Sequence, residues 1–133
     1  MPDYVVAQAL PEIRVECYAG TGLEFSVPVL GAAGAPVNMV NLLGARAQVR
    51  TRWESVEVLH SWTTDTPAGM TLGGGANAAV TIMATGQETA TWQAQWAVLD
   101  AVWDLEVVDS DGEPHRLCRL SPFIVYPEVT REL

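Results

Sequence analysis

Lysine is absent from this chain, and all seven basic residues are arginine. Set against 16 acidic residues, they leave a formal net charge of −9 at neutral pH. A nucleic-acid binder needs a basic stripe to neutralise phosphates. None is visible, so no nucleic-acid partner is expected, and an anionic membrane surface is disfavoured on the same ground. Cysteine is scarce, with only Cys17 and Cys118. Two thiols do not make a zinc site, and His60 and His115 lack the usual ligand spacing. Two buried free thiols are expected, although neighbouring strands would let them face each other. The first 17 residues have no basic start and no long apolar run, so neither a signal peptide nor a membrane span is expected. No GxSxG elbow occurs, and the triple glycine at 73–75 is followed by no Lys, so it is no phosphate loop.

What is present is a chain of 133 residues, 49% hydrophobic and only 17% charged, with five Trp. That length suits one domain with a real core. Leu23, Phe25, Val27 and Val29 alternate with Glu24, Ser26, Pro28 and Leu30, a period of two that marks a strand. Pro28 has no amide proton for a ladder, which places this strand at an edge or a bulge. Residues 37–43 are short and apolar and are expected to end at Gly44. Ala45, Ala47, Val49, Thr51 and Trp53 face one way, and Arg46, Gln48, Arg50 and Arg52 the other. Glu54 and Ser55 are the expected turn. In the return strand His60 falls on the mostly apolar face and Leu59 on the polar one, which calls for a bulge or an interface. Residues 63–78, rich in glycine, are expected to form an exposed loop. Residues 79–84 are a strand candidate, and 86–96 a turn of helix presenting Glu88, Trp92 and Trp96. The closing strand, with Phe123 and Val125 on one side and Ile124 and Tyr126 on the other, is apolar on both faces and so belongs in a central position. Pro122 and Pro127 bracket it.

The stretch at 101–120, AVWDLEVVDSDGEPHRLCRL, carries four acidic residues between Asp104 and Asp111. As a helix it has no clean polar face. As a strand it sorts, with Ala101, Trp103, Leu105 and Val107 inward and Val102, Asp104, Glu106 and Val108 outward. Asp109, Asp111 and Gly112 then make a hairpin corner, and 115–120 is its return strand. A calcium loop needs Gly at the sixth position, but counting from Asp109 it arrives at the fourth. Asp104 and Glu106, about 7 Å apart on one face, could in principle act as paired carboxylates. Any strand with a wet face looks the same. The expectation is therefore no catalytic, cofactor-binding or metal-binding residues, no cofactor, and no enzymatic activity. Phe25, Val27, Val49, Trp103, Leu105 and Val107 are the expected core.

The fold class expected is all-β: an immunoglobulin-like antiparallel β-sandwich of seven or eight short strands, with a small barrel as the alternative. Residues 1–18 are expected to be an N-terminal arm or extra strand, and 19–133 the sandwich domain.

The order of segments resembles a group of small tail-associated bacteriophage proteins. The pieces are the GLEFSVPV strand at 22–29, the G-A-P-V turn at 34–37, AQVR at 47–50, a Thr- and Trp-bearing turn at 89–92, the WDLEVVDSDG hairpin at 103–112 and PEVTR at 127–131. Trp103 stands where that group commonly has Tyr. The resemblance implies a non-enzymatic structural component of a virion, at the tail, baseplate or head–tail junction, assembled in the host cytoplasm. It implies other virion proteins as partners, with a homo-oligomer or ring within the assembly. Two other functions are open. Exposed Trp53, Trp62, Trp92 or Trp96 could stack on sugar rings in a host-receptor or carbohydrate-binding module. A capsid decoration protein could have the same shape.

Overall fold

The computed structural model describes residues 10–31, 34–52, 57–66, 68–92 and 98–127. These residues form nine strands and one short α-helix, besides a 3-10 turn at Met39–Asn41. They are β1 (Val15–Tyr18), β2 (Leu23–Pro28), β3 (Leu42–Arg50), β4 (Val58–Thr63), β5 (Met70–Gly73), β6 (Ala79–Ala84), α1 (Gly86–Ala90), β7 (Leu99–Asp109), β8 (Pro114–Arg116) and β9 (Ser121–Tyr126). The larger sheet runs β1-β9-β7-β3-β4, with β8 paired to β7; the smaller runs β2-β6-β5.

That division is the immunoglobulin arrangement. The second, fifth and sixth strands form one sheet, and the third, fourth, seventh and last form the other, as in the B-E-D and C-C′-F-G sheets of variable-type domains. The first strand joins the edge of the larger sheet. It lies parallel to β9, with Val15 opposite Phe123 and Tyr18 opposite Tyr126. Among the described residues the sandwich is therefore antiparallel except for this one pair.

Period-two patterning builds the core. Val15, Cys17, Ala45, Ala47, Val49, Ala101, Trp103, Leu105, Val107, Phe123 and Val125 are buried from one sheet, and Val27, Met70, Val80 and Ile82 from the other. Phe25 packs against that cluster, half-buried. Phe25 and Trp103 meet edge to face across the sandwich, ring centroids 5.6 Å apart. Antibody domains join the same two strands by a disulfide. Here two rings make the contact, and both cysteines are free and buried.

Pro28 ends β2, which pairs only with β6 and so is an edge strand, as its missing amide requires. The register between β3 and β4 shifts between Val49 and Arg50, so the irregular return strand is a bulge. β9 lies between β1 and β7, the central place its two apolar faces call for.

Four sequence expectations need correction. Gly44 does not end the apolar segment; it lies inside β3 beside a register shift. A Cβ there would sit 2.5 Å from Thr64 Oγ1, the atom that accepts a hydrogen bond from Ala45 N. The glycine makes room for that hydroxyl. Residues 63–78 are not one exposed loop, because β5 pairs with β6 and Met70 is fully buried. Pro122 does not precede the last strand but is its second residue, opposite Val102; β1 pairing begins only at Phe123. The hairpin return strand is three residues long, not six. The expected turn at Glu54 and Ser55 lies outside the described residues.

Candidate functional site

The acidic stretch is placed by β7 and its hairpin. Asp104 and Glu106 alternate outward, as strand geometry demands, and each meets an arginine. Arg46 of β3 pairs with Glu106, directly opposite in register. Arg116 of β8 pairs with Asp104. Both pairs are partly exposed, and cross-strand pairs of this kind contribute tenths of a kcal/mol to about 1 kcal/mol each. They set register; they leave neither carboxylate aimed at a shared point.

Asp109 is the corner. Its Oδ1 accepts from Asp111 N at 2.8 Å and Glu113 N at 2.9 Å, and its Oδ2 lies 2.8 Å from His115 Nε2. Gly112 takes φ +85°. His115 and the two amides hold the Asp109 carboxyl below the ordinary carboxylate range. A carboxyl with a lowered folded value adds stability above its unfolded value, and loses it as pH falls through the folded one. Among the described residues no group of three or more His, Cys, Asp or Glu could hold a metal ion.

Around the Arg116–Asp104 pair, the outer face of the larger sheet carries a shallow depression of about 310 Å³. Gln48, Arg50, Asp104 and Arg116 line it with Val102 and Leu120. Arg50 Nη2 donates to Gln48 Oε1 at 2.8 Å, so its polar lining is internally bonded.

The two histidines have different neighbours, His115 the Asp109 carboxylate and His60 two tryptophans. His60 packs on Trp62 and Trp92, with ring centroids at 4.6 and 5.1 Å, and its Nε2 lies 3.9 Å from Glu88 Oε2. Burial lowers its proton affinity, while the Glu88 carboxylate opposes that shift. A histidine with a lowered folded value favours the native state when neutral. The stability it supplies is complete above the ordinary imidazole value and falls as pH drops through about 6.5. His60→Phe is expected to flatten the melting temperature between about pH 5 and 7, while leaving the acid loss at Asp109 in place. Melting curves across that range check both windows.

Trp62 and Trp92 are buried, so neither offers an exposed platform for a sugar ring. Trp62 Nε1 donates to Met83 O at 2.9 Å, while Trp92 Nε1 finds no acceptor among the described residues. Trp53 and Trp96 lie outside the described residues.

Both cysteines are free and buried. Desolvation pushes the Cys17 thiol up to about 11 and also raises Cys118. The thiolate is the reactive form. Native protein is expected to leave both thiols unlabelled by Ellman's reagent on a time scale that labels both in denaturant. Rapid native labelling would contradict the placement.

Sequence reasoning named Thr89 only as part of the turn at 89–92 and missed its buried role. It is fully buried, its Oγ1 accepting from Gly20 N at 3.0 Å and donating to Thr21 O at 2.9 Å. It joins α1 to the turn between β1 and β2. A readable signal stood beside it: Thr85-Gly86-Gln87-Glu88 is a capping box, with Thr85 Oγ1 accepting from Glu88 N and Glu88 Oε1 accepting from Thr85 N.

One end of the sandwich differs from the rest. There the connection from β2 to β3, the turn from β5 to β6 and the tip of the β7–β8 hairpin come together. Val29 N donates to Ala78 O, Met39 N to Gly75 O and Ser110 N to Asn41 O, all at 2.8–2.9 Å. On this bonded frame Val40 and Leu43 are 75% and 67% exposed, and Leu30 is exposed as well. The Val40 amide is itself bonded, donating to Asn38 Oδ1 at 3.0 Å, and exposed aliphatics gathered at one end of a domain are found at contact surfaces. No helix among the described residues is long and apolar enough to cross a membrane.

No protein-family model and no curated protein matches the chain. Among solved structures it is similar to the PKD domain from KIAA 1837 protein, with 14% identity and a TM-score of 0.31, over 100% of this chain and 97% of that one. At that score the likeness adds nothing to the fold, which stands on strand order and register: the chain is a small immunoglobulin-like β-sandwich domain.

Proposed function

We propose that this domain is a non-catalytic structural component that works through protein–protein contacts, and that its setting is a bacteriophage virion, at the tail, baseplate or head–tail junction. The observation that carries the contact reading is the pair Val40 and Leu43, exposed where the hydrogen-bonded connection enters β3. The virion setting rests on the order of motifs from residue 22 to residue 131. The acids that invited a catalytic reading are engaged in holding strands together.

Mass spectrometry of purified particles, followed by imaging of particles labelled on this chain, tests the setting. The expected result is stoichiometric presence with label at the tail or its junction. Label over the head surface would instead favour a decoration protein. Absence from particles would end the virion reading. A glycan array with Trp53→Ala and Trp96→Ala variants addresses the receptor alternative, since Trp62 and Trp92 are buried.

A further inference from the structure

We infer that the loop end docks a different protein, through an apolar patch on that partner ringed by basic residues; the inference rests on the contact reading above and not on the virion setting. Between Glu24 and Arg46 the chain carries no charged side chain. This neutral stretch supplies Val40 and Leu43, held outside the core. Beside it stands the hairpin tip, with Asp109, Asp111 and Glu113 in five residues. The two are joined directly: Leu42 pairs with Asp109, and Ser110 N donates to Asn41 O at 2.9 Å. The result is an apolar surface with an acidic rim.

The rim decides the occupant. Residues 29–31, 34–45, 74–78 and 109–113, which build this end among the described residues, contain no arginine or histidine. The nearest histidine in the hairpin, His115, is engaged by Asp109. A second copy docked end to end would bring acids against acids with no cation to separate them. Like charges at an interface reject that partner, and a basic rim complements this one. The frame lowers the ordering cost of binding. Asn38 Oδ1 accepts from Val40 N at 3.0 Å, and Met39 N donates to Gly75 O at 2.8 Å, so the segment bearing Val40 is already shaped.

An NMR titration of the full chain with three short peptides tests this: an amphipathic Leu/Lys peptide, a Leu/Glu peptide of the same pattern and a Lys/Ser peptide. The Leu/Lys peptide is expected to shift amides at 39–44 and 109–113, and the other two to bind at least about tenfold more weakly. Val40→Asp with Leu43→Asp is expected to weaken the Leu/Lys peptide at least about tenfold. Asp111→Lys is expected to weaken it and to reduce its salt dependence. Both sites are exposed, so unchanged spectra elsewhere establish that the variants remain folded. Equal response to the Lys/Ser peptide would overturn the inference. So would shifts spread over Glu24, Asp65 and Asp100, or no binding. Concentration-dependent shifts at 39–44 without peptide would identify a second copy as occupant and overturn the choice of partner. Failure here leaves the particle mass spectrometry unaffected, and absence from particles leaves this titration unaffected.

Discussion

Replacing Trp103 by Ala is expected to cost about 3–5 kcal/mol, the range for deleting a buried aromatic. The ring is 1% exposed at the centre of β7. It stands edge-on to Phe25 in the opposite sheet and lies 6.2 Å from the Phe123 ring. Its Nε1 donates to Ile13 O at 2.8 Å, tying the segment before β1 to the core. The substitution therefore removes three things at once: inter-sheet packing, a buried donor and the anchor of the N-terminal connection. Typical domains hold only about 5–15 kcal/mol in total. The melting temperature should fall by roughly 12–20 °C. Trp103→Phe should recover part of the packing but leave the Ile13 carbonyl short of its donor, so it should fall between the two. A melting temperature of Trp103→Ala within a few degrees of wild type would contradict the packing described.

Gly74→Val is the second large effect, and it joins stability to the contact surface. Gly74 has φ +96°, a conformation that branched side chains do not adopt without strain. A Cβ there would also collide with the Asn77 carbonyl oxygen. That carbonyl is backbone and cannot swing away as a flexible side chain would. The turn it belongs to is closed by Asn77 N donating to Gly74 O at 3.0 Å. The expected cost is about 2–4 kcal/mol. The next residue, Gly75, accepts the Met39 amide. The variant should therefore also loosen the segment carrying Val40. Hydrogen exchange should show faster exchange at Met39 and Asn77, with β7 and β9 little changed. Unchanged melting and unchanged exchange at Met39 would contradict the turn geometry.

Much of the sandwich is legible one strand at a time. The alternation of Ala101, Trp103, Leu105 and Val107 against Val102, Asp104, Glu106 and Val108 is the pleat itself, and burial follows it residue by residue. The hairpin corner is equally local, because Asp109 and Gly112 need only neighbours within six residues. What pattern does not carry is partnership. β5 is four residues long, ends in glycine and hides its one buried residue, Met70, among turn formers. Only its pairing to β6 makes it a strand. β1 is likewise short, and its parallel partner lies more than a hundred residues away.

The loop end was the least visible part. Residues 37–43 read only as a short apolar segment ending at Gly44, because exposed and buried aliphatics carry the same letters. The frame that holds Val40 and Leu43 outward is made of backbone bonds from three separate connections. Charge offered a better signal. The uncharged stretch from Phe25 to Ala45 exceeds the six residues of β2, and the surplus had to lie somewhere other than a strand face.

Hydrogen exchange on this chain, free and within its assembly, tests most directly that the loop end is the contact surface. Slowed exchange concentrated at residues 39–44 and 109–113 on assembly is the expected result, with the edges at β4 and β5 unchanged. Slowing confined to those sheet edges, or to the outer face of the larger sheet around Gln48 and Arg116, would contradict it.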